Sequence, residues 1–246
     1  MEIEKKYIIS PTSSGLSLFQ ECKRCWWLIK NTDWERPTPP FPGLPGGVDK
    51  ALKKHYDRFR TQNLLPPEIN AHPKYNTLKP FDDQAKLKEF RRSRWRKDYI
   101  KQKGLAYKDE TLQSILQGGL DDLLKTTDGK IVVIDYKTRA IPPTEETVEW
   151  SRLQLNVYSF LLQKLKEETE DYALLIYYWP KRIKPNGDLQ FNTEIKEIKI
   201  DKDLVLSTWK EAVDTINSPS CPTTICEKGW CKDCLLYTSP RPRDRG

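Results

Sequence analysis

The chain has 246 residues, of which 37% are hydrophobic and 11% aromatic, and its 42 Lys and Arg exceed its 35 Asp and Glu to give a net charge of +7. This aromatic content, with eight Trp, excludes a wholly disordered chain, which lacks the apolar side chains that offset ordering entropy. No apolar run approaches the roughly 18–20 residues of a membrane span, and the first residues lack the apolar segment of a secretory signal. We therefore expect a soluble, cytoplasmic protein without a membrane partner.

Helix and strand patterns along the chain predict an α+β fold. Helical periodicity covers residues 14–29, 48–59, 82–99, 144–166 and 204–216. Strand patterns cover residues 113–124, 130–137, 172–179 and 189–200, with turn signals at Asp128-Gly129 and Asn186-Gly187. The Pro-rich residues 37–47 predict a stiff connector that is neither helix nor central strand. This order predicts one domain in which helices are layered on a sheet, an α/β sandwich.

The last residues do not have the composition of a domain end. Cys234-Leu-Leu-Tyr-Thr-Ser, followed by Pro-Arg-Pro-Arg-Asp-Arg-Gly, resembles the in-frame translation of the transposon end and adapter used in sequencing libraries, with Arg241 where the adapter would give Ser. Residues 235–246 are therefore predicted to be a non-native tail. The predicted domain is residues 1–234.

Basic residues concentrate in the segment 91–103, which carries seven Lys and Arg with Trp95 and Tyr99 interleaved. In such a segment Arg92, Arg94 and Arg96 can neutralise phosphates while the rings stack on bases. The same pattern also fits a charged helix face whose aromatic side chains lie in the core. Both interpretations remain open on composition alone.

Two acids and a lysine stand on the strands around the Asp128-Gly129 turn. If the loop is residues 127–129, with Gly129 in the left-handed conformation of a G1 bulge, Asp121 faces Asp135 across the strands. Period 2 then places Lys137 on the same strand face as Asp135. A two-residue loop would shift the register by one and separate the acids.

In the first register the pattern favours a metal site. Carboxylates that face each other across strands repel, and a hard divalent cation, which takes oxygen ligands, relieves that repulsion. A lysine beside them can hold or help to deprotonate the attacking water and stabilise developing phosphate charge. The alternative is that the acids are exposed and Lys137 is an ordinary solvated charge.

The following helix adds Gln154 and Tyr158, which stand at i and i+4 on one helix face. Three motifs in this order resemble those of the PD-(D/E)XK nucleases of the RecB-like and CRISPR-adaptation branch. They are Gly118-x-x-Asp121, Asp135-Tyr-Lys137 and Gln154-x-x-x-Tyr158. The opening segment Ser14-Gly-Leu-Ser-Leu-Phe-Gln-Glu-Cys-Lys-Arg-Cys-Trp-Trp-Leu also looks like that branch's first helix, with Lys23 where Pro is usual. The resemblance covers roughly residues 10–234.

The resemblance implies a restriction-endonuclease-like core, a central mixed sheet flanked by helices. It implies that Asp121, Asp135 and the carbonyl of Tyr136 bind Mg²⁺ or Mn²⁺, and that Lys137 serves the attacking water. Gln154 and Tyr158 would contact single- or double-stranded DNA near the site. The implied activity is that of a metal-dependent, exonuclease-like deoxyribonuclease in DNA repair, recombination or defence, with helicase, recombination or CRISPR proteins as candidate partners.

The sequence departs from the family at one metal ligand. Many members carry a metal-binding His in a helix after a Gly, and the matching residues 46–55 give no clear equivalent. Asp49 is a candidate substitute, whereas His55 sits late and is predicted to be an ordinary helix-surface residue. The missing His favours a second hypothesis, a catalytically weak or inactive nucleic-acid-binding module on the same fold.

The six cysteines, with no signal peptide predicted, favour a metal or cluster over disulfides. Two Cys-x-x-Cys pairs, Cys22 with Cys25 and Cys231 with Cys234, lie at opposite ends of the predicted domain. The family branch often holds a [4Fe–4S] cluster on one N-terminal and three C-terminal cysteines, the last of which would follow Cys234 by six positions. Zinc bound by the two pairs is an equal alternative, and buried thiols without metal are the third.

Overall fold

The computed structural model describes residues 8–10, 15–35, 43–92 and 104–223. The helices are α1 (Leu16–Glu21), α2 (Lys23–Asn31), α3 (Gly43–Thr61), α4 (Pro67–Asn70), α5 (Gln84–Phe90), α6 (Glu145–Lys164) and α7 (Lys202–Asn217). The strands are β1 (Ile8–Ile9), β2 (Lys79–Pro80), β3 (Leu105–Asp109), β4 (Ser114–Gly118), β5 (Asp122–Lys125), β6 (Ile131–Thr138), β7 (Tyr172–Ile183) and β8 (Leu189–Lys199). None of these helices is both long enough and apolar enough to cross a membrane.

The chain groups into two compact units, one of residues 1–41, 108–116 and 203–246 and the other of residues 42–107 and 117–202. In the first unit, β1 pairs in parallel with β4. The buried indole N–H groups of Trp26 and Trp209 donate to the Ala212 carbonyl and to Ser114 Oγ, both at 3.0 Å. These bonds satisfy the polar ends of two large rings that fill the core of this unit.

The second unit is built on a five-stranded mixed sheet in the order β2-β5-β6-β7-β8. The β6–β7 pair is parallel, and the other pairs are antiparallel. Val132 and Ile134 of β6 pack with Leu52 and Tyr56 of α3 on one face. The alternate residues of β6 face α6, because successive side chains of a strand point to opposite sides. The predicted α+β fold, a mixed sheet flanked by helices, is confirmed.

The local turn chemistry explains why the hairpins were predictable. Gly129 and Gly187 have φ of +93° and +85°, a region that glycine enters without the cost paid by other residues. Both predicted hairpins are present. β7 and β8 nevertheless pair as far as Ile183 and Leu189, so the second hairpin is longer than its apolar pattern indicated.

Four predicted segments were wrong in their bounds. Where one helix was predicted at 14–29, the structure has two, α1 and α2, because Cys22 is extended and its Sγ accepts from Cys25 N–H at the start of α2. The connector at 37–47 overlaps α3, which begins at Gly43 and has Pro45 in its first turn, where no backbone donor is needed. Residues 113–124 form β4 and β5 in different sheets, separated at the glycine pair 118–119. The helix predicted at 82–99 is α5 as far as Phe90, and residues 93–99 lie outside the described part.

Candidate active site

The β5–β6 hairpin brings the two acids together. The register pairs Asp122 with Ile134 and Lys125 with Ile131, which places Asp121 one step further on, opposite Asp135. Thr126 N–H donates to the Lys130 carbonyl at 2.9 Å and closes the three-residue loop. The predicted register is therefore confirmed, and its cause is the turn.

Asp121 is held from three sides. Its Oδ2 accepts from the backbone N–H of Tyr136 at 3.1 Å, and its Oδ1 lies 2.9 Å from Lys53 Nζ on α3. Its main-chain carbonyl accepts from Arg91 Nε at 2.7 Å. The side chain is 17% exposed, so the carboxylate lies at the opening of the site, with one oxygen tied to β6.

Asp135 lies deeper than Asp121 and is 1% exposed. Burial raises the pKa of Asp135 to about 6; Lys137 acts to lower it, and the neighbouring Asp121 carboxylate acts to raise it. Its Oδ2 lies 2.6 Å from Lys137 Nζ, so the two groups form a buried ion pair. A buried carboxylate needs a cation beside it, and in this structure the Lys137 ammonium group is that cation.

Lys137 is oriented by a chain of side chains that ends in α6. Its Nζ donates to Gln154 Oε1 at 3.0 Å, and Gln154 Nε2 donates to the Tyr158 hydroxyl at 2.7 Å. Burial lowers the pKa of Lys137, but the neighbouring acids, Asp135 first and then Asp121, together outweigh this effect and the net pKa is raised. The lysine is therefore charged. The capping box of Thr144 and Thr147 fixes where α6 begins, and with it the positions of Gln154 and Tyr158.

Tyr158 is 2% exposed, and burial raises its pKa. The hydroxyl of Tyr158 thus holds the Gln154 amide in place, and little of the ring is left on the surface for a DNA contact. Gln154, which is half-buried, presents its carbonyl oxygen to Lys137.

Lys53 is a site residue that sequence analysis missed. Its Nζ lies 3.0 Å from Asp49 Oδ2 and 2.9 Å from Asp121 Oδ1, so Asp49 reaches the site through this ammonium group. Burial lowers the pKa of Lys53, but Asp121 and Asp49 together outweigh that effect and the net pKa is raised. The i, i+4 spacing of Asp49 and Lys53 was the only available signal. His55 contacts Glu68 at 3.1 Å instead, half-buried on α3.

Asp122, next to Asp121 in sequence, belongs to a different network. It is fully buried and pairs with Arg60 and with Arg91, while the Tyr136 hydroxyl donates to it. Burial raises the pKa of Asp122 although both arginines act to lower it. The two neighbouring acids thus lie on opposite faces of the sheet: Asp121 lies at the candidate site, and Asp122 lies in the buried arginine network.

The basic segment 91–103 is only partly described. Arg91, its first residue, is half-buried and donates through Nη1 to both carboxylate oxygens of Asp57 at 2.8 and 2.9 Å, so it is an internal side chain. Arg92 is exposed. Arg94 and Arg96 lie outside the described residues.

Of the two cysteine pairs, only the first is described. Cys22 and Cys25 are 4% and 1% exposed, and both lie at the N-terminus of α2. Cys231 and Cys234 lie outside the described residues, as does the predicted tail 235–246.

The donor set at the acids fits a hard divalent cation. Within residues 8–10, 15–35, 43–92 and 104–223, no three His, Cys, Asp or Glu side chains gather closely enough to hold a metal. Mg²⁺, however, keeps several waters and commonly binds through one or two carboxylates. Asp121, Asp135 and the Tyr136 carbonyl offer oxygen donors only, which are the ligands that Mg²⁺ and Mn²⁺ prefer.

Comparison with known families agrees with this arrangement. The sequence model of the PD-(D/E)XK nuclease superfamily matches residues 10–237 and so covers α1 to α7 and every strand that carries the site. No curated protein matches the chain.

Proposed function

The chain belongs to the PD-(D/E)XK nuclease superfamily, and from this premise we propose that it is a Mg²⁺- or Mn²⁺-dependent deoxyribonuclease that hydrolyses phosphodiester bonds. The observation that carries the proposal is the pair of acids facing each other across β5 and β6, with the Lys137 ammonium 2.6 Å from Asp135. An exonuclease-like mode and a place in repair, recombination or defence, with helicase or CRISPR partners, are the finer parts of the proposal. They rest on the motif resemblance to the RecB-like branch.

The residues have separate tasks in this proposal. A divalent cation, when bound, supplies Lewis acidity toward the phosphate and the attacking water. Asp121, Asp135 and the Tyr136 carbonyl would hold it. Lys137 is kept charged by Asp135 and aimed by Gln154, so it stabilises the negative charge that develops on the phosphate.

A cleavage assay on single- and double-stranded DNA tests the proposal. We expect hydrolysis with Mg²⁺ or Mn²⁺ and none with chelator. The second candidate, a nucleic-acid-binding module, is favoured by the Lys53 contact on Asp121 and by the lack of a third acidic or His ligand in the described ranges. DNA binding without cleavage under every metal condition would select that candidate.

The Lys53 ammonium group pairs with the Asp121 carboxylate and so competes with a metal ion for it. Removing the ammonium group should therefore favour metal binding. We expect Lys53→Met to tighten Mn²⁺ binding roughly fivefold in calorimetry, which corresponds to about 1 kcal/mol of ion pairing. The control is Lys54→Met, an exposed lysine of the same helix, which should leave Mn²⁺ affinity unchanged. Unchanged or weaker Mn²⁺ binding by Lys53→Met would contradict the competition.

Neutralising Arg92, Arg94 and Arg96 together tests whether the basic segment contacts DNA phosphates. Each lost phosphate contact should lower the log–log slope of DNA affinity against salt by about 0.7–0.9. Fluorescence anisotropy at several salt concentrations measures that slope. An identical slope in the variant would assign these arginines to a solvated face.

Elemental analysis tests the cysteine proposal, in which Cys22 or Cys25 shares a centre with Cys231 and Cys234. A [4Fe–4S] cluster should give brown, iron-containing protein after anaerobic purification, whereas Zn²⁺ should give colourless protein with about one zinc per chain. Protein free of iron and zinc would contradict the proposal.

A further inference from the structure

The β7–β8 hairpin extends past the strand that carries the site. β6 ends at Thr138, which pairs with Tyr178, and Lys137 pairs with Tyr177. β7 continues to Ile183, and over this extra length β8 is its strand partner among the described residues. Because β6 and β7 are parallel, this extra length projects from the end of the sheet at which Lys137 lies. Six residues at about 3.3 Å each reach roughly 20 Å beyond the lysine.

Residues 180–190, which we name the hairpin arm, have a defined conformation. A register shift between Pro180 and Arg182 marks a bulge, which bends a strand and re-aims its side chains. Lys184 N–H donates to the Asp188 carbonyl at 2.9 Å and closes the turn. Every residue from 180 to 189 is nevertheless exposed. The folded core therefore does not dictate which side chains the arm carries.

The side chains of the arm combine positive charge with large apolar groups. The arm has three basic residues, Lys181, Arg182 and Lys184, and one acidic residue, Asp188, so its net charge is +2. None of the three basic groups pairs with an acid within the described ranges, and Arg182 Nε donates to the neutral Gln190 at 3.0 Å. Ile183 and Leu189 pair across the two strands near the tip and are 72% and 44% exposed.

These features favour a nucleic acid as the ligand of the arm. Unpaired basic groups bind phosphates and release counterions, while exposed aliphatic side chains can lie against bases or insert between them. Exposed apolar side chains such as the paired Ile183 and Leu189 do not contribute to solubility, so their position at the end of the arm favours a contact with a ligand. The arm also extends from the sheet end that holds the proposed active site.

We propose that the hairpin arm binds the substrate DNA on one side of the scissile bond, several base pairs away from it. Lys181, Arg182 and Lys184 contact phosphates, and the Ile183–Leu189 pair contacts bases. At 3.4 Å per base pair, a reach of roughly 20 Å places this contact about six base pairs from the site. The proposal rests on the proposed nuclease function for the identity of the ligand.

The test measures binding of a fluorescein-labelled 30-base-pair duplex, in chelator so that no cleavage occurs, at several salt concentrations. The first variant replaces Lys181, Arg182 and Lys184 by Ser. We expect affinity to fall more than tenfold and the log–log salt slope to decrease by about 2.7, the value for three lost contacts to duplex DNA. The control replaces three exposed lysines away from the arm, Lys79, Lys88 and Lys202, by Ser and removes the same charge. Equal slopes for the two triple variants would overturn the proposal.

A second variant, Ile183→Ser with Leu189→Ser, separates the apolar contact from the charge. We expect weaker DNA binding with an unchanged salt slope, because no phosphate contact is removed. Unaltered affinity would overturn the base contact. Circular dichroism of each variant checks the fold, which these exposed positions should leave intact.

Cleavage by the wild-type protein distinguishes a failure of the arm proposal from a failure of the nuclease proposal. If the wild type cleaves DNA with Mg²⁺ or Mn²⁺ and the triple variants share one slope, the arm proposal fails alone. If the wild type cleaves no DNA, and replacing the three basic residues of the arm still lowers the salt slope of DNA affinity, the nuclease proposal fails. The arm then remains a DNA-binding element.

Discussion

Asp135→Asn should reduce metal-dependent DNA cleavage by about 10³-fold or more while the protein remains folded. The substitution keeps the side-chain volume but removes a negatively charged oxygen donor beside Lys137. Asp121→Ala and Lys137→Ala should have similar effects, since each removes a donor or the local cation. Steady-state cleavage at saturating Mg²⁺ measures the loss. Asp128→Asn, in the exposed turn of the same hairpin, is the control and should retain full activity.

The same substitution should stabilise the fold in chelator. Burial raises the pKa of Asp135 to about 6 in the folded protein, against an ordinary value of about 3.9. Between these values the folded chain retains a proton that the unfolded chain has lost, so wild-type stability falls as pH rises from about 4 to 6. Asn does not ionise, so Asp135→Asn should not show this loss of stability with rising pH.

Melting curves of wild type and Asp135→Asn at pH 4, 6 and 8 test this expectation. The variant should melt several degrees higher than wild type at pH 8, and the difference should shrink toward pH 4. Full cleavage activity in Asp135→Asn would contradict the assignment of the site. A variant less stable than wild type at pH 8 would show that Lys137 stabilises the ionised acid more than burial destabilises it.

Asp122→Ala should unfold the protein more readily, by about 3–5 kcal/mol, because it leaves the Arg60 guanidinium buried without its carboxylate. The melting temperature should fall by roughly 10 °C. Thermal unfolding in chelator measures this effect apart from the metal. Asp121→Ala, one residue away, should cost far less stability because its carboxylate lies at the opening of the site.

The control for this prediction is Asp57→Ala. Asp57 also pairs with Arg91, but its side chain is 45% exposed and water can replace it, so the loss should stay below about 1 kcal/mol. Equal losses for Asp57→Ala and Asp122→Ala would contradict the view that burial makes the Asp122 network essential to the fold.

The sequence by itself determined the features that depend on near neighbours. The Asp128-Gly129 turn and the alternation of β5 and β6 set the register, so Asp121 was predictable opposite Asp135. Gln154 and Tyr158 were predictable as one helix-face pair, and they do share a hydrogen bond. These interactions span a few residues, where backbone geometry and turn chemistry decide which side chains meet.

Only the tertiary structure decided which distant side chains complete the site and its support. Lys53 reaches Asp121 because α3 packs over the sheet, and Arg60 reaches Asp122 across 62 residues of sequence. The separation of β4 from β5 and the burial of Tyr158 are likewise not visible in local periodicity. Periodicity reports which face of an element is apolar, whereas the partner of that face depends on how the whole chain packs.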